Sequence, residues 1–231
     1  MTILFAFSTA VFALAFAALF VKSGYLHKLL VKLGLASQKR TTNWTAFSWE
    51  SCLTKMECKA EIVFLGDSIV RGGDFHKAFP DKKIVNLGCS GDTLAGMIGR
   101  VSTVKVLEPQ KVFLMAGING LTDYNLQRCL QTYQALIKEL QKELPESQVY
   151  LMSVLPLSQK KTKQICKNET IVAFNQGIQK IAGARGCVFV DIYPFYLKNG
   201  EMDPTITVDG LHLKPEGYAP WYEAIARYIN E

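Results

Sequence analysis

A three-layer α/β/α sandwich around a five-stranded parallel sheet, preceded by an N-terminal transmembrane helix, is the fold class this sequence predicts. Three observations carry that expectation. Five short, nearly continuous apolar runs rich in β-branched residues recur along the chain, helical patterns separate them, and residues 3–21 carry no charge. Apolar runs without alternation suit strands buried on both faces of a parallel sheet. Strand–helix alternation then covers those faces with helices.

The N-terminal run ILFAFSTAVFALAFAALFV, residues 3–21, would span about 28 Å as a helix, close to the thickness of a bilayer core. No Lys or Arg precedes it, and small residues at Ala13, Ala15 and Ala17 lie inside it. A retained anchor over residues 1–22 is therefore favoured over a cleaved signal peptide, the alternative. Lys22, Lys28, Lys32, Lys39 and Arg40 follow the run, so the positive-inside rule puts the body on the cytoplasmic side, with the extracytoplasmic side open. Residues 23–48 read as a juxtamembrane segment and linker: GYLHKLLVKLGLA has helical spacing that suits a membrane surface, and SQKRTTNWT is polar. Residues 49–231 form the folded domain.

Within that domain the expected strands are 61–66, 83–88, 111–117, 148–154 and 187–192. The expected helices run over Thr93–Val106, Leu126–Glu143, Glu169–Ala182 and Glu216–Asn230. In the second of these, Leu126, Leu130, Tyr133, Ile137 and Leu140 mark one face.

Composition narrows the function class. The 231 residues are 49% hydrophobic and carry a formal charge of +6, from 26 Lys and Arg against 20 Asp and Glu. Much of that excess lies beside the apolar N-terminus, and no basic stripe interleaved with aromatics marks a nucleic-acid surface. The basic run QKKTKQICK, residues 159–167, reads as a solvated loop. Of six cysteines, Cys89, Cys129, Cys166 and Cys187 are scattered, whereas Cys52 and Cys58 are spaced to pair in an oxidising compartment. Asn43 and Asn168 each open a glycosylation triplet. The chain has no G-x-S-x-G elbow, no G-x-G-x-x-G fingerprint, no Walker loop and no HExxH, so neither nucleotide, metal nor other cofactor is called for.

Polar residues gather at the expected strand ends. Gly66-Asp67-Ser68 follows the first strand, NLGCSGDT (86–93) the second, and Gly117-Ile-Asn119 the third; Asp209 and His212 precede the last helix. Ligands of such sheets bind at the carboxyl ends of the strands. Serine, histidine and a carboxylate are the components of nucleophilic acyl transfer. Of three histidines, His27 adjoins the apolar run and His76 sits in a polar loop, leaving His212 as the candidate base.

These four blocks resemble those of the SGNH hydrolases, the GDSL family of esterases and lipases, over about residues 60–230. NLGCSGDT is similar to the second block of platelet-activating-factor acetylhydrolase-like members. The resemblance implies a flavodoxin-like sheet, Ser68 as nucleophile, His212 as general base and Asp209 as its orienting carboxylate. It also implies an oxyanion hole from Ser68, Gly88 and Asn119. The function implied is a serine esterase acting on a small-molecule, lipid or glycan ester. An O-acyltransferase with the same triad, or a non-catalytic carbohydrate- or lipid-binding module, are the alternatives.

Plainer readings stand beside these. Asp67 and Ser68 also fit a helix cap, as do Asp92 and Thr93. Gly88 and Gly91 fit a tight turn, which is the preferred reading of Gly91. Asn119 fits a turn before Gly120. Ser90 is a rival nucleophile without the strand-end placement of Ser68. Tyr193, Tyr196, Trp221 and Tyr222 read as core or rim aromatics. The third block commonly continues Asn-Asp, and Gly120 stands in that place here, which puts the rigidity of the loop in question.

Overall fold

The computed structural model describes residues 59–158 and 165–231. The expected anchor over 1–22, the linker over 23–48, and Cys52 and Cys58 lie outside the described residues. Among the described residues, no helix is long and apolar enough to cross a membrane.

Five parallel strands form the sheet in the order β2-β1-β3-β4-β5. They are β1 (Ile62–Gly66), β2 (Ile84–Gly88), β3 (Lys111–Met115), β4 (Gln148–Met152) and β5 (Val188–Val190). Every β1 residue is buried, as an apolar run without alternation requires. The register sets Gly66 beside Gly88 on one side and Met115 on the other, so β2, β1 and β3 end at one level.

Seven α-helices accompany them among the described residues: α1 (Ser68–Arg71), α2 (Phe75–Ala78), α3 (Leu94–Ile98), α4 (Val101–Val106), α5 (Leu126–Glu143), α6 (Asn168–Arg185) and α7 (Ala219–Asn230). On one face of the sheet, register-matched Phe64, Phe113 and Tyr150 stack at 5.0 and 4.4 Å between centroids. Phe75 of α2 stacks on Phe64 at 3.7 Å, and Trp221 of α7 meets Phe75 edge-on at 5.7 Å. Helices α5 and α6 pack together, with Tyr133 against Phe174 at 5.8 Å. The result is the expected α/β/α sandwich.

Three details depart from the sequence reading. The expected helix over Thr93–Val106 is split, because Gly99 caps α3 and Arg100 turns inward, where it is buried. The last helix begins as a 3-10 turn, Pro215–Tyr218, before α7. A two-stranded hairpin, β6 (Leu197–Lys198) with β7 (Glu201–Met202), lies between β5 and α7. Its turn residues Asn199 and Gly200 both have positive φ, 55° and 80°, the geometry that Asn-Gly favours.

Cys89, Cys129, Cys166 and Cys187 are free thiols, with Cys129 and Cys166 buried. Asn168 is also buried: its amide donates to the carbonyls of Leu157 (3.0 Å) and Gly200 (3.3 Å) and accepts from Leu157 N–H (2.8 Å). A glycan on this nitrogen is incompatible with those bonds, so the triplet at Asn168 is a structural motif.

Candidate active site

The first corner of the site is the turn from β1 into α1. A methyl group at Gly66 would lie 2.2 Å from Val70 Cγ2 and 2.5 Å from the Met115 carbonyl, so only glycine lets the helix fold back this closely. Asp67 caps the helix, its Oδ1 accepting from Ile69 N–H at 2.9 Å. Ser68 is the first helical residue, and its own N–H has no acceptor among the described residues. Its Oγ lies 2.9 Å from His212 Nε2.

The second corner is a closed loop, 207–213. Thr207 Oγ1 donates to the His212 carbonyl (2.7 Å) and accepts from Gly210 N–H (2.9 Å), while Val208 N–H donates to the same carbonyl at 2.9 Å. Gly210 takes a φ of 91°, open to glycine, and its carbonyl accepts from Ser158 N–H at 2.9 Å. Within this frame Asp209 Oδ1 accepts from the N–H groups of Leu211 (3.0 Å) and His212 (2.8 Å), and Oδ2 pairs with His212 Nδ1 at 2.7 Å. Partial burial raises the Asp209 carboxyl, but the hydrogen bonds from His212 and Leu211 outweigh it and hold the group at about 2. An ionised carboxylate only accepts, so Nδ1 of a neutral His212 carries the proton and Nε2 is left to accept from Ser68.

The third corner lies where the loops after β2 and β3 meet. Here the structure corrects the sequence reading of Gly88. Its N–H already donates to Asn86 Oδ1 at 2.9 Å, and a methyl group there would lie 2.2 Å from Arg71 N and 2.5 Å from Arg71 Cα. Gly88 is therefore required by the close passage of α1 over the end of β2. Three residues on, Gly91 takes a φ of 74°, and no described residue accepts its N–H. Gly91, read from sequence as a turn glycine, thus keeps an open backbone donor, as does Ser90 before it. Asn119 donates one Nδ2 hydrogen to the Asp92 carbonyl at 2.8 Å and keeps a second.

Asp92 and Arg100 anchor that loop from beneath. Arg100 Nη2 and Nε donate to Asp92 Oδ2 at 2.6 and 2.9 Å, and both Nη atoms reach the Leu87 carbonyl at 3.1 Å. Both residues are buried. Thr93 caps α3 through Oγ1, which accepts from Gly96 N–H at 3.2 Å. The loop after Asn119 is braced without the aspartate that the third block commonly carries. Asn125 Nδ2 (2.7 Å) and the Cys129 thiol (3.3 Å) both donate to the Gly120 carbonyl.

The remaining candidates fall outside this geometry. Ser90 is exposed and accepts from Arg71 Nη1 at 2.9 Å; Tyr196 and Trp221 are fully buried core residues. Tyr222 Oη accepts from Asp74 N–H at 2.7 Å. Among the described residues, no three His, Cys, Asp or Glu side chains cluster as a metal site.

Known proteins share this arrangement of elements. The model of a family described as GDSL-like lipase/acylhydrolase matches residues 64–219. No curated protein matches the chain significantly. A candidate platelet activating factor protein from Streptococcus pneumonia is similar at 25% identity and a TM-score of 0.74, over 90% of this chain and 98% of that one. A GDSL-like lipase from Bacteroides thetaiotaomicron aligns at 24% identity and 0.65, over 82% and 98%. A catalytic mutant of an acetylxylan esterase from Geobacillus stearothermophilus aligns at 20% and 0.59, over 74% and 94%. The last two likenesses bear on the fold.

Proposed function

This chain belongs to the GDSL-like lipase/acylhydrolase family, and from that premise we propose that it is a serine esterase that cleaves carboxylic esters through an acyl-enzyme on Ser68. The observation that carries the reading is the continuous line Ser68 Oγ–His212 Nε2–Nδ1–Asp209 Oδ2, with contacts of 2.9 and 2.7 Å. A serine hydroxyl attacks a carbonyl effectively only when a base removes its proton.

In the proposed cycle Ser68 Oγ attacks the ester carbonyl while its proton passes to His212 Nε2. Asp209 stabilises the imidazolium and keeps the ring oriented. The developing oxyanion is met by the N–H groups of Ser68 and Gly91 and by the second Nδ2 hydrogen of Asn119. Gly88 has no donor role, because its N–H is engaged by Asn86. His212 returns the proton to the leaving alcohol. Water then attacks the acyl-enzyme with His212 again as base, freeing the acid and Ser68.

The test is labelling of the full chain by a fluorophosphonate, beside hydrolysis of short-chain esters. Labelling and turnover that vanish in Ser68→Ala and collapse in His212→Ala support the reading. A folded Ser68→Ala protein with wild-type ester hydrolysis defeats it.

In the same proposal, residues 1–22 anchor the enzyme in a membrane, supported by the uncharged run 3–21. The prediction is retention in the membrane fraction after an alkaline wash. Release of the intact chain by that wash would exclude an integral anchor.

A further inference from the structure

Arg71 closes α1 one helical turn after Ser68. Residues three apart on a helix share a face, with Cβ atoms about 5–6 Å apart. The backbone beneath Arg71 is fixed twice: its N–H donates to the Asp67 carbonyl at 3.0 Å, and Gly88 packs directly against its N and Cα. The side chain is exposed, yet it is held toward the loop after β2, where Nη1 donates to Ser90 Oγ at 2.9 Å. Ser90 immediately precedes Gly91, whose N–H is open. The guanidinium therefore stands between the nucleophile turn and the loop that holds the oxyanion donor.

No described carboxylate pairs with it. Asp209 is bonded to His212, Asp92 to Arg100, and Asp67 is buried beneath the helix. One of the five N–H donors of Arg71 is used by Ser90, which leaves most of a rigid planar fork facing solvent beside the reacting centre. Such a fork matches the paired oxygens of a carboxylate or phosphate.

We propose that Arg71, oriented by Ser90, is an anion subsite that selects esters bearing a carboxylate or phosphate close to the scissile carbonyl. This deepens the esterase reading and rests on it. The physical logic is that a fixed cation beside the site attracts an anionic substrate and orients it before attack. The attraction weakens with salt, as it does between solvent-exposed charges.

Two matched pairs of esters test it with the full chain. Mono-(4-nitrophenyl) succinate is compared with 4-nitrophenyl butyrate, and 1-acetylglycerol 3-phosphate with 1-acetylglycerol. The expected result is a kcat/KM ratio of anionic to neutral ester of about tenfold or more at low salt. That ratio should fall towards one in Arg71→Ala and at high salt, with Arg71→Lys in between. A preference on both arms assigns a general anion subsite, and a preference on one arm names the anion that fits. Cleavage without anionic preference, or a preference unchanged in Arg71→Ala, overturns the subsite alone. Failure to cleave any of the four esters overturns the esterase reading and the subsite together.

Discussion

The carbonyl of Asp92 accepts a hydrogen bond from the side-chain amide of Asn119 at 2.8 Å. This contact fixes which way the amide faces, because the flipped amide would set two acceptor oxygens against each other. It leaves the second Nδ2 hydrogen free for the oxyanion of the proposed cycle. Asp92 is itself held by its buried pairing with Arg100, so Asp92 alone links Arg100 to Asn119. Asn119→Ala is expected to lower kcat by about 10²- to 10³-fold. Arg100→Lys keeps the charge but loses the fork, and should lower kcat about tenfold with little change in KM. The decisive measurement is the double variant. If Arg100 positions Asn119, then Arg100→Lys lowers kcat little further in the Asn119→Ala background. Independent, multiplying effects would reduce Arg100 to a structural residue.

Gly88 and Gly120 predict opposite responses to an added side chain. A methyl group at Gly88 collides with the backbone of Arg71, which cannot move without shifting the nucleophile turn. Gly88→Ala should therefore destabilise the fold by about 1–3 kcal/mol, read as a lower midpoint in urea. At Gly120 the nearest atom lies 4.0 Å away and the backbone is not left-handed. Gly120→Asp, which restores the residue common in that block, should leave the midpoint and ester turnover within error. A large loss in Gly120→Asp would show that the Asn125 and Cys129 brace does not tolerate a second one.

The sheet is legible in the sequence because strands buried on both faces must be apolar throughout, and that leaves continuous runs such as Ile62–Leu65 and Val112–Met115. Helix α5 is legible for the complementary reason, since its buried Tyr133, Ile137 and Leu140 recur at helical spacing. The break at Gly99–Arg100 is not, because a sequence pattern treats arginine as a surface residue, and only its tertiary partners, Asp92 and the Leu87 carbonyl, explain its burial. The hairpin at Asn199-Gly200 carried a local turn signal between strands of two residues, too short to show alternation. At the site, Ser68, Asp209 and His212 stand out by residue type and strand-end placement, and the fold brings their side chains into hydrogen-bonded line. Backbone donors are different. Whether Gly88 or Gly91 offers a free N–H depends on where Asn86 points, and residue identity does not encode that.

Asn168 yields a prediction about a misleading motif. Its amide joins the loop after β4 to the hairpin through Leu157 and Gly200. Asn168→Asp removes the donor and places a carboxylate against two carbonyls. The expected loss is about 1–3 kcal/mol, with ester turnover retained in the folded fraction. In a glycosylating host the folded protein should carry no glycan at Asn168, which intact-mass measurement decides; a modified, folded protein would contradict the buried placement.

Asp67 makes the stability of the fold depend on pH in an unusual direction. It is almost wholly buried, Oδ1 caps α1, and Oδ2 has no hydrogen-bond partner. Burial raises its carboxyl to about 6, against 3.8 for the free group. The folded state therefore binds a proton more tightly than the unfolded chain, so the contribution of Asp67 is fully present below about pH 4. It falls as pH rises and is lost above about pH 6, a difference of roughly 3 kcal/mol. Carboxyls held low, such as Asp209, change stability in the opposite sense, so the measurement must be a difference. Asn at this position retains the capping oxygen without the titration. The stability of Asp67→Asn minus that of the wild type should increase between pH 4 and 6 and then level off, as followed by urea denaturation. A difference that is flat across that range would mean that the buried carboxyl stays ionised, with a partner for Oδ2 supplied by solvent.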